Sequence, residues 1–337
     1  MEMFKVFCGS SNRDLAQKIC ERLGTKLGDA LVTRFRDGEV RVQIQENVRK
    51  CHVCIVQSTH PPAEHWDELY FLIDAARRGS AAEITAVIPY FGYSRQERKD
   101  APRVPISLKV KMDHVVSAGA DRILTMDLHA GASQGFVNIP VDHLYGPPML
   151  LDKWATMLNG AVKRPILASD LGFSKVASHY ARQMGCDFVP CRKVRKPNVV
   201  LQAEIIGSVE NADILYIDDM IDTGGTVRTI TQVLKQKGAS TINVAVTHGI
   251  FGKGWDNPES GLIEAPIDSV IFTDTIAPRR EVLETLASKM KVSVVSTAKL
   301  FARSIREIVT GGSVGEIFDD WESRVKSIVH SGSLGSK

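Results

Sequence analysis

Short apolar runs alternate with segments of helical periodicity along almost the whole chain, and this alternation restricts the fold more than any other feature. It is typical of an α/β fold in which a mainly parallel sheet is flanked by helices. The segment 40–45 instead alternates strictly between apolar and polar residues, which indicates a strand with one wet face. The other predicted strands are 3–8, 52–57, 84–90, 121–127, 165–169, 213–218, 241–247, 269–273 and 291–295. The predicted helices are 12–23, 66–78, 107–118, 172–184, 225–237, 281–288 and 297–310.

The length of 337 residues suggests two domains. The sequence Gly-Pro-Pro at 146–148 interrupts the pattern, so we expect domains at 1–146 and 147–296, with the C-terminal helix 297–318 packing back on the first. The segments 79–92 and 238–252 echo each other weakly, because each runs from a glycine through a strand to Phe-Gly. A duplicated half-protein and a generic joint between helix and strand both explain this echo.

Composition excludes several classes of protein. With 42 basic and 39 acidic residues, the net charge is only +3, which argues against unspecific binding of nucleic acid. No apolar run is long enough to span a bilayer, and the first residues do not resemble a signal peptide. Six cysteines in so long a chain do not predict a disulfide framework, so we expect a cytoplasmic protein that binds neither nucleic acid nor membrane.

The sharpest motif is the segment 214–226, in which an apolar run ends in Asp218 and Asp219 and a Gly-Thr turn then opens a helix. Backbone N–H groups and the helix dipole at such a turn form a cradle for phosphate. Phosphate would repel the acids, so we expect them to face sugar hydroxyls or a metal. A ligand that has both a phosphate and a pair of hydroxyls (a diol) is a sugar phosphate. A turn with a capping Asp222 is the ordinary alternative. An aspartic-protease site is excluded, since the triplet that starts at Asp222 has no second copy.

Other polar residues also follow predicted strands. Asp127 and His129 are two residues apart, which places them on one face if the strand continues through them. Asp170 closes another strand. Because ligands of parallel sheets bind at the carboxyl ends of the strands, these side chains together suit a Mg²⁺ site.

Two basic segments lie near these positions, at 95–103 and 192–198. Anion binding and a solvated surface explain them equally well. A P-loop and a G-x-G-x-x-G motif after a strand are both missing from the sequence. We therefore predict an anion site that uses neither of those two nucleotide motifs.

Taken together, the motifs resemble those of the ribose-phosphate pyrophosphokinase (phosphoribosyl-pyrophosphate synthetase) family. The 218–226 loop alone is also shared with type I phosphoribosyltransferases. The segments that carry the resemblance are 7–11, 35–39, 87–96, 126–129, 134–136, 140–144, 218–226, 247–251, 273–275 and 313–318.

The resemblance implies two similar type I phosphoribosyltransferase-like domains. It also implies a Mg²⁺-dependent transfer of the β,γ-diphosphoryl group of ATP to O1 of ribose 5-phosphate, which gives phosphoribosyl pyrophosphate and AMP. The implied chemistry is in-line attack by the anomeric hydroxyl on the β-phosphorus. Members of the family form dimer-based hexamers, and many respond to phosphate or nucleoside diphosphates.

The family's functional residues map onto positions of this sequence. The resemblance assigns catalysis to Lys193 and Arg195 and the metal to His129, Asp170 and Asp127. ATP is assigned to Arg95, Gln96 and Asp100, and to a loop from a neighbouring subunit with Phe35, Asp37, Gly38 and Glu39. Ribose 5-phosphate is assigned to Arg195, Asp218, Asp219, Asp222, Thr223, Gly224, Gly225 and Thr226.

The sequence departs from the family pattern at a few positions. Phe173 stands where the pyrophosphate loop usually has a second glycine, and Ala101, Pro102 and Gly315 lie in regions tied to regulation. Two alternatives remain open: a type I phosphoribosyltransferase, which explains the 218–226 loop but not His129 or the 35–39 segment, and a non-catalytic regulatory subunit of a synthetase.

Overall fold

The computed structural model describes residues 4–158, 164–194, 202–257 and 261–317. The described chain divides into two compact units. Unit 1 comprises residues 4–145, 275–277 and 296–317, and unit 2 comprises the described residues of 146–274 and 278–295. Residues 195–198 of the basic segment 192–198, and the C-terminal residue of the predicted helix 297–318, lie outside the described residues.

Unit 1 is built on a five-stranded parallel sheet in the order β1-β4-β5-β6-β7, with a separate antiparallel hairpin of β2 and β3. Its strands are β1 (Phe4–Cys8), β2 (Ala30–Arg34), β3 (Val40–Ile44), β4 (His52–Val56), β5 (Glu83–Ile88), β6 (Arg122–Met126) and β7 (Val141–Leu144). Its helices are α1 (Arg13–Leu23), α2 (Glu64–Arg78), α3 (Ser107–Ala118) and, from the end of the chain, α8 (Ala298–Thr310).

Unit 2 is built on a seven-stranded sheet in the order β10-β9-β8-β11-β12-β13-β14, in which β10 is the antiparallel strand. Its strands are β8 (Pro165–Asp170), β9 (Asp187–Val194), β10 (Gln202–Ile205), β11 (Asp213–Ile221), β12 (Thr241–Gly249), β13 (Ser269–Thr273) and β14 (Lys291–Val295). Its helices are α4 (Pro147–Leu158), α5 (Ser174–Met184), α6 (Gly225–Gln236) and α7 (Arg280–Ala287).

Apolar side chains cover both faces of the unit 2 sheet, which explains why its strands are continuous apolar runs. Successive residues of β11 alternate between two buried clusters: Ile214 and Tyr216 belong to one, and Leu215 and Ile217 to the other. A sheet buried in this way needs helices on both sides. The predicted α/β fold, with mainly parallel sheets flanked by helices, is confirmed.

Local sequence signals account for both ends of α1. The side chain of Asn12 accepts a hydrogen bond from the Leu15 N–H at 3.2 Å and so caps α1. The helix ends at Gly24, which has φ = 74° and accommodates the left-handed turn without strain. The sequence predicts this helix at 12–23 from its periodicity, and the caps explain why it begins and ends there.

The helix α4 corrects the interpretation of the Gly-Pro-Pro segment. We took Pro147 and Pro148 as an interruption, whereas α4 begins at Pro147. Proline has no backbone N–H group. The N–H groups of the first helical turn have no acceptor within the helix, so proline is tolerated there. The strands β2, β7, β9 and β10 were also absent from the predicted set.

The two units repeat the same strand order. The order β1-β4-β5-β6-β7 in unit 1 corresponds to β8-β11-β12-β13-β14 in unit 2, and the echoing segments contain the third strand of each series, β5 and β12. The last glycines of the two echoing segments also correspond. A Cβ on Gly92 would lie 2.2 Å from the Thr59 carbonyl oxygen, and a Cβ on Gly252 would lie 2.1 Å from Asp222 Oδ1. Thr59 follows β4 and Asp222 follows β11. Each glycine therefore presses on the loop after the second strand of its series, which favours duplication over a generic joint.

Candidate active site

The loop 222–226 connects β11 to α6, as the phosphate-cradle prediction requires. Gly224 precedes the first helical residue with φ = 81°, and its carbonyl accepts the Arg228 N–H at 2.9 Å. A Cβ on Gly224 would lie 2.5 Å from the Leu262 Cβ, so no other residue fits. The N–H groups at the start of α6 carry partial positive charge, which makes this turn suitable for phosphate.

The acid pair that precedes the loop lies within β11, because the strand continues to Ile221 rather than ending at 218 as predicted. The Tyr216 hydroxyl donates to Asp218 Oδ2 at 3.0 Å, so Asp218 is on the Tyr216 face. Strand alternation places Asp219, which is only 6% exposed, on the opposite face. Burial raises the pKa of Asp218 well above its usual range, and the nearby charges of Asp219 and Asp170 raise it further.

Asp170 is the last residue of β8 and opens the turn into α5. Its Oδ1 accepts the Phe173 N–H at 2.9 Å, while the Phe173 side chain packs against a buried cluster of unit 2. Phe173, which replaces the family glycine, is thus held by the core and by Asp170. The other carboxylate oxygen of Asp170 is not needed for this turn.

The two residues predicted to be catalytic lie at the edge of the described structure. The backbone of Lys193 belongs to β9 and pairs with Ala203 of β10. The Lys193 side chain, and Arg195 as a whole, lie outside the described residues.

In unit 1, Asp127 and His129 follow β6, which ends at Met126. The prediction that they share one strand face is wrong, because Asp127 has φ = 36° and leaves the extended conformation. Asp127 is buried, whereas His129 is exposed. The intervening Leu128 N–H donates to His143 Nε2 at 2.8 Å and fixes this turn.

The predicted ATP residues 35–39 form the tip of the hairpin between β2 and β3. The tip is closed by the Phe35 N–H, which donates to the Glu39 carbonyl at 2.8 Å, and by Gly38 at φ = 98°. The Asp37 carboxylate accepts the Glu39 N–H at 3.1 Å. The Phe35 ring is 50% exposed, and the Arg41 guanidinium lies 5.4 Å from its centre. An exposed ring beside cationic groups is suited to stacking on a base.

The second predicted ATP segment follows β5. Arg95, Gln96 and Asp100 are all exposed. The Gln96 N–H donates to the Tyr93 carbonyl at 2.9 Å, and the Gln96 carbonyl accepts the Leu108 N–H at 3.3 Å. The segment is therefore tied to the start of α3.

Three residues that support these segments were missed in the sequence. Tyr216 looked like one more apolar residue of its strand, and Leu262 gave no signal at all. Glu68 did carry a signal, since it lies four residues before the buried Leu72 on the apolar face of α2. An acid on the buried face of a helix needs partners. Glu68 has them, because it accepts from the Ser10 N–H, the Gln57 amide and Arg34.

No group of three or more His, Cys, Asp or Glu residues within the described ranges is arranged to hold a metal ion by itself. In the same part of the chain, no helix has both the length and the apolar character needed to cross a membrane.

Comparisons with known proteins agree with this geometry. Residues 4–119 match the model of the N-terminal domain of ribose phosphate pyrophosphokinase, and residues 175–319 match a phosphoribosyl synthetase-associated domain. The ribose-phosphate pyrophosphokinase of Wolinella succinogenes is 42% identical over 94% of this chain and 100% of its own length. The chain belongs to the ribose-phosphate pyrophosphokinase family.

Further relatives extend the match to structure. The ribose-phosphate pyrophosphokinase of Vibrio parahaemolyticus is 42% identical over 95% of this chain and 100% of its own length. The crystal structure of phosphoribosylpyrophosphate synthetase from Mycobacterium smegmatis superimposes with a TM-score of 0.83 and 31% identity, covering 92% of this chain and 100% of that one. The resemblance seen in the sequence is confirmed, the chain is an enzyme of this family, and the synthetase interpretation is supported over the alternatives.

Proposed function

We propose that this chain transfers the β,γ-diphosphoryl group of ATP to O1 of ribose 5-phosphate and releases AMP. The observation that carries the proposal is its similarity to the family's enzymes along nearly the whole chain. The glycine-bearing turn at 222–226, directly after the acid pair of β11, supports it, because a sugar phosphate offers both a phosphate and a diol.

Ribose 5-phosphate binding is proposed for two groups of residues in unit 2. Gly224, Gly225 and Thr226 would receive the phosphate, because they form the positive end of α6. Asp218 and Asp219 would accept hydrogen bonds from the ring hydroxyls. Asp222, Thr223 and Arg195 complete the proposed set.

ATP binding is proposed for exposed side chains of unit 1. Phe35 would stack on the base, and Asp37, Gly38 and Glu39 form the rest of the hairpin tip. Arg95, Gln96 and Asp100 would contact the nucleotide from the segment after β5. We propose that the hairpin serves a neighbouring copy of the chain in a dimer-based hexamer.

Mg²⁺ is the proposed metal, with Asp170, His129 and Asp127 as its protein ligands. Mg²⁺ is commonly held by one or two carboxylates while phosphate oxygens and water complete its coordination. The second carboxylate oxygen of Asp170 suits that arrangement, because the turn into α5 uses only the first. When bound, the ion would neutralise phosphate charge.

The proposed chemistry is in-line attack of the sugar O1 on the β-phosphorus, with AMP as the leaving group. The protein would contribute positioning and electrostatic stabilisation rather than a covalent intermediate. Lys193 and Arg195 would hold the charge that spreads over the transferred group. Regulation by phosphate or a nucleoside diphosphate and a cytoplasmic location are proposed as well; the six free cysteines suit the latter.

The test is to incubate the purified chain, without any partner protein, with ATP, ribose 5-phosphate and Mg²⁺. We expect AMP and phosphoribosyl pyrophosphate in equal amounts. The matched control is Lys193→Ala, which should lower kcat by roughly 10²–10³ and leave the KM for ATP nearly unchanged, because it removes a donor to the transition state.

A phosphoribosyltransferase would release no AMP from these two substrates, and a regulatory subunit would be inactive alone. Either result would overturn the proposal. Full activity of the Lys193→Ala variant would remove Lys193 from the catalytic role while leaving the reaction itself standing.

A further inference from the structure

Tyr216 is a polar residue buried in the middle of the unit 2 sheet. Its side chain is fully buried, between Ala168 of β8 and Val244 of β12 in the strand register. A phenol hydroxyl in such a place requires a partner, since an unpaired buried donor is costly. The partner is Asp218, two residues along the same strand face, whose Oδ2 accepts the hydroxyl at 3.0 Å.

The second oxygen of the same carboxyl group is also fixed. The Asp219 N–H donates to Asp218 Oδ1 at 3.0 Å. One donor on each oxygen sets the rotation of the carboxyl group about its Cβ–Cγ bond. Because a carboxylate oxygen accepts up to two hydrogen bonds, each oxygen keeps capacity for a hydroxyl of a bound sugar.

The electrostatic surroundings explain why such a donor is needed. Asp218 lies near two further acids, Asp219 and Asp170, and these would repel its charge. Burial and the neighbouring carboxylate raise the pKa of Tyr216 well above its usual range, so the phenol keeps its proton and stays a donor. A phenylalanine, equally suited to the apolar cluster, would leave Asp218 Oδ2 without this bond.

We propose that Tyr216 is a positioning residue that orients the Asp218 carboxyl group toward the 2- and 3-hydroxyls of ribose 5-phosphate. This inference rests on the proposed function, since it assumes that Asp218 faces the sugar. Tyr216 itself contacts no substrate. Replacing Tyr216 should therefore weaken the binding of the sugar and not of ATP, and only when the sugar carries its diol.

The first experiment compares Tyr216→Phe with the unaltered enzyme. The substitution removes one oxygen and retains the ring, so the core stays filled. We expect the KM for ribose 5-phosphate to rise roughly five- to tenfold, the size of effect that one ordinary hydrogen bond produces. The KM for ATP should stay within about twofold, and so should kcat.

Ser269→Ala is the matched control. Ser269 is also buried in the unit 2 sheet, at the start of β13, and its hydroxyl donates to Asn243 Oδ1 at 2.6 Å. Both variants lose one buried hydroxyl hydrogen bond from the same sheet, so both should lower the melting temperature slightly. Only Tyr216→Phe should change the KM for the sugar.

The second experiment measures binding of 2,3-dideoxyribose 5-phosphate, which retains the phosphate and the anomeric hydroxyl and lacks the 2- and 3-hydroxyls. The unaltered chain and Tyr216→Phe should bind this analogue equally, because it lacks the two hydroxyls from which Asp218 would accept hydrogen bonds. An equal loss of affinity for the analogue and for ribose 5-phosphate would contradict the proposal, as would an unchanged KM for ribose 5-phosphate.

Calorimetric titration with ribose 5-phosphate separates this inference from the proposed function. If the unaltered chain released no AMP, the proposed function would fail. A weaker titration of ribose 5-phosphate into Tyr216→Phe, with unchanged binding of the analogue, would still support the role of Tyr216. Equal titrations of the two proteins would overturn that role even in an active enzyme.

Discussion

Asp218, a proposed sugar-binding residue, illustrates how a site residue can oppose the stability of its own domain. Burial raises the pKa of its carboxyl group, and the charges of Asp219 and Asp170 raise it further. A carboxyl group with a raised pKa in the folded chain binds protons more tightly there than in the unfolded chain. Its ionised form therefore destabilises the fold at neutral pH, and protonation relieves this cost as the pH falls through the raised pKa.

We predict that Asp218→Asn stabilises the protein at pH 7.5 and weakens its binding of ribose 5-phosphate. The amide has the shape of the acid without its charge, and we expect a rise in melting temperature of roughly 2–4 °C. Thermal unfolding at pH 7.5 and pH 5 checks this, because the gain should shrink at the lower pH. A variant less stable than the unaltered chain at pH 7.5 would refute the electrostatic argument.

Single residues were predictable from the sequence where an unusual residue type stands at the end of a predicted strand. The acid pair and the Gly-Thr turn are unusual after an apolar strand, so the 218–226 loop was found. Tyr216 was not found, because the sequence does not show whether a tyrosine within an apolar run forms a hydrogen bond or only fills space in the core. The Asp127–His129 argument failed because alternation holds only while the backbone stays extended.

At the scale of elements, the hairpin of β2 and β3 is connected to α2 by an ion pair. Arg34, the last residue of β2, donates to Glu68 at 3.0 Å, and the Glu68 side chain is fully buried. Burial alone would raise the pKa of Glu68, but hydrogen bonds from Ser10, Arg34 and Gln57 outweigh it and lower the pKa. Glu68 therefore stabilises the fold at neutral pH, and this contribution is lost as the pH falls below the ordinary value of about 4.5.

We predict that Arg34→Met raises the KM for ATP roughly three- to tenfold and leaves the KM for ribose 5-phosphate unchanged. The substitution removes the anchor next to Phe35, whereas the strand pairing of the hairpin remains. Steady-state kinetics with each substrate varied in turn gives both constants. Urea unfolding should also show a loss of stability of about 1–3 kcal/mol, because a buried carboxylate loses its cation.

Arg78→Met provides the control for this prediction. Arg78 forms an exposed pair with Asp74 on the same helix α2, at 2.7 Å. Exposed pairs contribute at most about 1 kcal/mol. If Arg78→Met changed the KM for ATP as much as Arg34→Met, anchoring of the hairpin would not be the cause.

Elements were predictable where a clear apolar pattern spans the whole element. The helix at 107–118 and the strands at 269–273 and 291–295 have the predicted bounds. The helix α4 was missed because we interpreted the two prolines as helix breakers, which holds in the interior of a helix but not in its first turn. The strand β10 is short and pairs only with β9, so few of its residues show a period.

At the scale of the whole chain, unit 1 is completed by residues from the far end of the sequence. The helix α8 follows the last strand of unit 2, yet it belongs to unit 1 and packs against α1. Its buried side chains include Phe301 and Ile305, both fully buried. The core of unit 1 therefore depends on residues about 150 positions beyond its last strand.

We predict that Phe301→Ala destabilises unit 1 selectively, by about 3–5 kcal/mol, as for other buried aromatic residues cut to alanine. Native-state hydrogen exchange should show faster exchange in α1 and the five-stranded sheet. In the reciprocal variant Leu234→Ala, which truncates a fully buried residue of unit 2, faster exchange should appear in the seven-stranded sheet. Faster exchange in unit 2 alone after Phe301→Ala would contradict the assignment of α8.

The pair of glycines that press on the loops after β4 and β11 has a consequence for how this enzyme evolved. If a half-length ancestor with one such loop and one such glycine was duplicated, the resulting chain contains two copies of every loop at the strand ends. One version can keep its task while its twin accumulates changes. The loop after Gly92 is an exposed stretch of charged side chains, whereas after Gly252 the chain brings Leu262 against Gly224. New specificity for a second substrate could then arise in one half while the other half keeps the proposed sugar site.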